Sequence, residues 1–173
     1  SILMSVFSSG RRRHTIFTSD WSSDVCSSDL VTLDDRLSIN RRKWNTMNQD
    51  ILRSVGNIGA ILKEKSQTIA IAESSSGGLI SAHLLSLPGA SSYFLGGSVI
   101  YTRYAGRSFL RVTDDEMEGI RAATEEYAEL NATRVRELLG STWGLSETGA
   151  TGPTGNRYGD PAGHSCIAVS GPV

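Results

Sequence analysis

The sequence predicts an α/β fold in which helices cover both faces of a sheet. Three observations lead there. Residues 68–73 form an apolar run with β-branched members (Ile69, Ala70, Ile71, Ala72), followed by Ser74-Ser-Ser-Gly-Gly78 and then a helical pattern, which reads as strand, tight turn and helix start. Helical one-face patterns alternate with short strand-like runs along the rest of the chain. Two glycine- and hydroxyl-rich loops, 74–78 and 149–164, each follow a strand, so they can meet at one sheet end, where α/β folds place ligands.

The elements follow in order from Met47, which is a plausible native start. In residues 48–65, Ile51, Val55, Ile58 and Leu62 recur at spacings of four, three and four, with Asn48 as a cap. The strand at 68–73 comes next. A helix from Gly77 to Leu87 is so rich in apolar residues (Leu79, Ile80, Leu84, Leu85, Leu87) that it is expected to be mostly buried, with Pro88-Gly89 ending it. His83 on that helix reads as a satisfied core histidine in preference to a catalytic one. Residues 93–101 form the second strand, where Gly96-Gly97 marks a bulge or a closely approaching group. A short helix is expected at 103–110, and Thr113-Asp-Asp-Glu116 is a capping box. Thr124 caps a helix to Leu139 whose buried stripe is Ala128, Ala132, Val135 and Leu139, and Gly140 stops it. Residues 143–149 are a weak strand, and 165–170 the last strand.

Residues 1–46 differ in kind. They carry a net charge of +2, against −3 for 47–173, which does not favour nucleic-acid binding by the domain itself. Arg11-Arg12-Arg13-His14 can be read as a nuclear signal or a nucleic-acid arm. A simpler reading is that Asp20-Trp-Ser-Ser-Asp-Val-Cys-Ser-Ser-Asp-Leu30 resembles a sequencing-library adapter translated in frame. Residues 1–46 are therefore expected to be a non-native or disordered head, adapter-like over 8–30, ahead of a domain at 47–173. No apolar run approaches the roughly 18 residues of a membrane span. The two cysteines, Cys26 and Cys166, have no metal or redox spacing, and a cytoplasmic protein with free thiols is expected. Asn131-Ala-Thr133 fits a glycosylation sequon but falls within a helix pattern.

The turn at 74–78 gathers backbone N–H groups and hydroxyls at a helix start. That suits a phosphate, or a nucleophilic serine beside an oxyanion site. It equally suits a plain β–α connection.

Four blocks occur in order: Glu73-Ser-Ser-Ser-Gly-Gly78, Leu87-Pro-Gly-Ala-Ser-Ser-Tyr-Phe94, Gly96-Gly-Ser-Val-Ile-Tyr101 and Gly149-Ala-Thr-Gly-Pro-Thr-Gly155. Together they resemble the CinA C-terminal domain family, which includes the nicotinamide-nucleotide amidohydrolases (PncC). The resemblance covers about residues 48–171. It implies a three-layer α/β/α sandwich with a central mixed sheet, truncated here at the C-terminus because the family continues with another strand and helix. It also implies a homo-oligomer that takes a small-molecule nucleotide and needs no metal or organic cofactor. Neither nucleic acid nor membrane is implied as a partner.

The implied activity is hydrolysis of the carboxamide of nicotinamide mononucleotide to nicotinate mononucleotide and ammonia. The resemblance places the nucleophile at Ser74 and its tyrosine at Tyr101. Substrate binding falls to Ser75, Ser76, Gly77, Gly78, Arg103, Arg107, Thr151 and Gly152. The family lysine, five residues after the tyrosine, is replaced by Gly106. The chain's three lysines, Lys43, Lys63 and Lys65, all precede the turn, and Arg107 is too basic to act as a base. Three readings follow: an enzyme with a replacement base, for which His164 is the candidate; a nucleotide-binding domain without turnover, using Arg103 or Arg107 for phosphate; or a structural or interaction domain. The long loop 152–164 also departs from the family pattern.

Overall fold

The computed structural model describes the backbone of residues 3–9, 12–18 and 37–172, and the side chains of residues 49–172. Most of the adapter-like stretch 8–30 lies outside the described residues. The chain divides into two compact units, Ser1–Lys43 and Trp44–Val173. In the first, β1 (Leu3–Ser9) pairs antiparallel with β2 (Arg12–Thr18), Leu3 opposite Thr18.

The second unit holds the sheet. Its elements are the part of α1 (Leu37–Glu64) from Trp44 on, β3 (Ile69–Glu73), α2 (Leu79–Leu85), β4 (Phe94–Val99), α3 (Arg103–Leu110), α4 (Glu125–Leu139), β5 (Trp143–Ala150) and β6 (His164–Ser170). The sheet order is β4-β3-β5-β6. β3 runs parallel to both β4 and β5, and β6 is antiparallel to β5, so the sheet is mixed as expected.

β3 sorts the two layers by alternation. Ile69 and Ile71 pack with Val55 and Leu62 of α1, Leu84 of α2 and Tyr93. Ala70 and Ala72 face the other way, toward Leu110, Val112 and Val135 on the α3–α4 side. Small residues on that face let α4 come close. A side chain at Gly144 would run into the Ala132 carbonyl and Arg136, so glycine is required there. Gly97 has the same role on the opposite face. A methyl group there would strike Ser81 Oγ, which is the close approach the paired glycines predicted. Gly97→Ala is expected to destabilise the domain by about 1–3 kcal/mol, read as a lower midpoint in urea; an unchanged midpoint would contradict the tight α2–β4 contact.

Several expectations need correction. α1 begins at Leu37, so Asn48 lies within the helix and does not cap it. Gly59 replaces Ile58 on its buried face, because Leu87 and Tyr93 pack at 3.2–3.4 Å from the position a Cβ would take, and Ile58 turns outward. α2 is seven residues long and buries only Leu84, leaving Leu79 61% exposed. His83 is half-buried and is satisfied locally, its Nδ1 2.6 Å from the Leu79 carbonyl. Leu139 falls outside the buried face of α4, where Tyr127 and Asn131 are buried instead. The strand at 143–150 is not weak: it is interior to the sheet, paired on both edges. The expected caps are present. Thr124 Oγ1 accepts from the Tyr127 N–H, and Thr113 and Glu116 exchange hydrogen bonds around the one-turn 3-10 helix Asp115–Met117. Among the described residues no helix is long and apolar enough to cross a membrane.

Candidate active site

The serine turn connects β3 to α2. Gly77 (φ 65°) and Gly78 (φ 101°) take left-handed backbone that a larger residue would adopt only with strain. The turn closes on two buried carboxylates. Glu73, fully buried at the end of β3, accepts from the N–H groups of Gly78 (3.0 Å), Ile80 (3.0 Å) and Ser81 (2.8 Å), and from the hydroxyls of Ser81 (2.6 Å) and Ser76 (2.8 Å). It therefore satisfies the orphan donors at the start of α2. Burial alone would push its carboxyl up. The bonds from Ser81, Ser76 and Ile80 outweigh that and hold it below the ordinary carboxylate value.

Glu147 reaches the same turn from β5. It is 3% exposed and accepts from the N–H groups of Ser74 (3.1 Å) and Ser76 (2.9 Å) and from Ser75 Oγ; Ser76 Oγ lies 2.7 Å from it, and the single proton of that hydroxyl is shared between Glu147 and Glu73. The two carboxylates thus use most of the donors that an incoming anion would need. Among the described hydrogen bonds none uses Ser74 Oγ or the Ser75 N–H.

Ser74 opens onto a cavity of about 170 Å³, lined also by Tyr101, Arg103, Arg121, Tyr127 and Tyr158. Tyr101 is 75% exposed at its edge. The glycine-rich loop meets the turn here: Thr151 Oγ1 donates to the Ser75 carbonyl at 3.1 Å. Arg121 fastens that loop, donating to both carboxylate oxygens of Asp160 at 2.6 and 3.0 Å. This guanidinium and the Asn156 amide hold the Asp160 carboxyl down at about 2. Arg121 also lies 5.4 Å from the centre of the Tyr158 ring. Arg121→Ala should release the loop, seen as faster proteolysis within 152–163; unchanged cleavage would count against the Arg121–Asp160 latch.

The family model of the CinA C-terminal domain matches residues 52–173. The chain belongs to this family. A CinA-like protein of Acaryochloris marina is 40% identical over 115 residues, covering 66% of this chain and 27% of the relative. Another, from Synechococcus elongatus, is 36% identical over 124 residues, covering 72% and 29%. The chain thus spans under a third of the length of these curated relatives. The structure is similar to the competence/damage inducible protein CihA of Agrobacterium tumefaciens (TM-score 0.66, 26% identity, covering 70% of this chain and 74% of that one). It also resembles a CinA superfamily protein of Escherichia coli (TM-score 0.61, 23% identity, covering 83% and 82%).

Within this CinA C-terminal domain, the residues expected at the site separate into groups. Ser74, Tyr101 and Arg103 line one cavity. Ser75, Ser76 and Gly78 turn their donors to Glu147 and Glu73. The Gly77 N–H donates to the Ser74 carbonyl at 3.2 Å. Gly152 is exposed in the loop beyond Thr151. Arg107 is engaged by Asp114 and lines a small cleft beside Gly106 instead. That cleft shares Arg103, Met117 and Tyr127 with the Ser74 cavity. His164 does not line the cavity. Its Nε2 is 2.9 Å from the Ala123 carbonyl and 3.5 Å from Cys166 Sγ. Burial, followed by the charge of Glu125, pushes the Cys166 thiol up, so it stays protonated.

Sequence reasoning missed Glu73, Glu147, Arg121 and Tyr158. Glu73 was visible as an acid closing an apolar strand, where a carboxylate is buried and capped or absent. Glu147 had no such signal, because its pairing with the turn spans more than 70 residues.

Proposed function

We propose that this domain hydrolyses the carboxamide of a pyridine nucleotide, converting nicotinamide mononucleotide to nicotinate mononucleotide and ammonia. The observation that carries this reading is the division of labour among three adjacent serines. Ser75 and Ser76 are consumed by carboxylates, while Ser74 faces a cavity with Tyr101 and Arg103. Ser74 Oγ attacks the carboxamide carbon, its proton passes to the amide nitrogen, and ammonia leaves an acyl ester on Ser74. Water then cleaves the ester to carboxylate and restores the serine. The Ser75 N–H, next in the chain after the nucleophile, is the donor suited to the oxyanion. Arg103 suits the phosphate. In this reading the substrates and partners of the longer relatives extend to this chain only as far as the domain itself reaches.

A second reading, nucleotide binding with little turnover, is favoured by Gly106. No lysine, histidine or carboxylate is among the residues lining the Ser74 cavity, which leaves proton transfer to its tyrosines, Tyr101 being the one the family resemblance names. A side chain can start at this position: a Cβ at Gly106 would meet only the Tyr127 hydroxyl, at 3.6 Å. A lysine buried there would have its charged form disfavoured and serve as a base. Gly106→Lys is expected to raise ammonia release by about 10²-fold. The test is ammonia release beside calorimetric binding of nicotinamide mononucleotide. Turnover supports hydrolysis, binding alone supports the second reading, and the absence of both rejects each.

A further inference from the structure

Three tyrosines line the Ser74 cavity, and they differ in burial. Tyr101 is 75% exposed and Tyr158 46%, so both rings stand largely in solvent. Tyr127 is 5% exposed, in the first turn of α4, where its N–H donates to Thr124 Oγ1. It is the one tyrosine of the three that also lines the small cleft beside Gly106. A Cβ at Gly106 would stand 3.6 Å from its hydroxyl, so the phenol oxygen lies in front of a residue that has no side chain. A buried phenol ordinarily finds a hydrogen-bond partner. Among the described hydrogen bonds none uses this hydroxyl. Nor is it sealed in: the polar side-chain atoms enclosed without a partner, among the described residues, belong to Ser98, Asn131 and Ser146. The ring is packed and its one polar atom is left open to the cavity.

We propose that Tyr127 is a further catalytic residue: its hydroxyl, beside Gly106, relays the proton of Ser74 to the leaving nitrogen. This rests on the carboxamide reading of the Ser74 site. As Ser74 Oγ bonds to the carboxamide carbon, the phenol oxygen takes the serine proton and gives its own to the amide nitrogen. The C–N bond breaks, ammonia leaves, and the phenol is neutral as before. Water then bonds to the acyl carbon, passes a proton to the phenol, and the phenol returns one to Ser74 Oγ as the ester bond breaks. The relay needs a group that both accepts and donates. A hydroxyl does; the guanidinium groups of Arg103 and Arg121 only donate. Tyr101 carries the same chemistry, but water competes for a phenol that stands three-quarters in solvent.

The test is Tyr127→Phe in the full chain, followed by ammonia release from nicotinamide mononucleotide and by calorimetric binding of that nucleotide. The ring stays and no described hydrogen bond is lost, so melting temperature and affinity should match the parent. The value of kcat should fall by about 10²-fold. In Gly106→Lys, where an amine serves the same step, Tyr127→Phe should cost about threefold or less. Full release by Tyr127→Phe, in a protein that needs Ser74, would overturn the inference and leave the carboxamide reading standing. So would weaker binding with kcat unchanged, or an equal loss in both backgrounds. A Tyr127→Phe protein that does not fold would make the hydroxyl structural and overturn it too. No release by the parent, with or without the lysine, would overturn both.

Discussion

Replacing Glu73 with alanine is expected to cost the domain about 4 kcal/mol and to lower its melting temperature by roughly 10–20 °C. The carboxylate is fully buried and holds five donors, three of them N–H groups at the start of α2. Alanine leaves those N–H groups without a partner and opens a void beneath the turn. The hydroxyls of Ser76 and Ser81 can rotate; the amides cannot. The pH dependence has a definite sign. Glu73 is held below its ordinary value in the folded state. Its contribution is therefore full at neutral pH and is lost as pH falls below the ordinary carboxylate range, through the depressed folded value. The gap in melting temperature between the parent and Glu73→Ala should narrow in acid. Thermal melts of the two proteins across this range check it, and a gap that is absent at neutral pH, or that widens in acid, would refute the role.

The second large effect is catalytic. Ser74→Ala is expected to reduce ammonia release by about three orders of magnitude or more, while the melting temperature and the affinity for nicotinamide mononucleotide stay nearly unchanged. No described hydrogen bond uses Ser74 Oγ, so its loss leaves nothing unsatisfied. Ser76→Ala should behave in the opposite way. Its hydroxyl links Glu73 and Glu147, and removing it should lower stability first and turnover only as a consequence. Measuring melting temperature and ammonia release on both variants separates the two serines. A stable Ser74→Ala protein that retains full turnover would remove Ser74 from the chemistry.

The layered fold was legible because local signals agreed with it. Thr113 with Glu116, Thr124 and Gly140 marked element ends that the structure keeps, and the apolar run Ile69-Ala-Ile-Ala72 marked a strand, which the structure buries on both faces. The element misread as weak, residues 143–149, owes its place to pairing with two neighbours and to the hydrogen bonds that Glu147 and Thr148 make inside. Ser146, Glu147 and Thr148 look solvent-facing in sequence and are all buried. Of the site, the serine turn and Tyr101 were legible as motif positions. The carboxylate pair was not, because Glu147 acquires its meaning only when β5 lies beside β3. His164 was attractive for its chemistry and its place at the end of the loop. Which wall a loop residue reaches depends on the return of the loop into β6, where the Ala123 carbonyl takes its Nε2.

The most direct measurement is ammonia release from nicotinamide mononucleotide by the parent protein and Gly106→Lys, each with and without Ser74→Ala. The account expects slow release by the parent, faster release with the lysine, and none in either protein lacking Ser74. Equal release with and without Ser74 would contradict it.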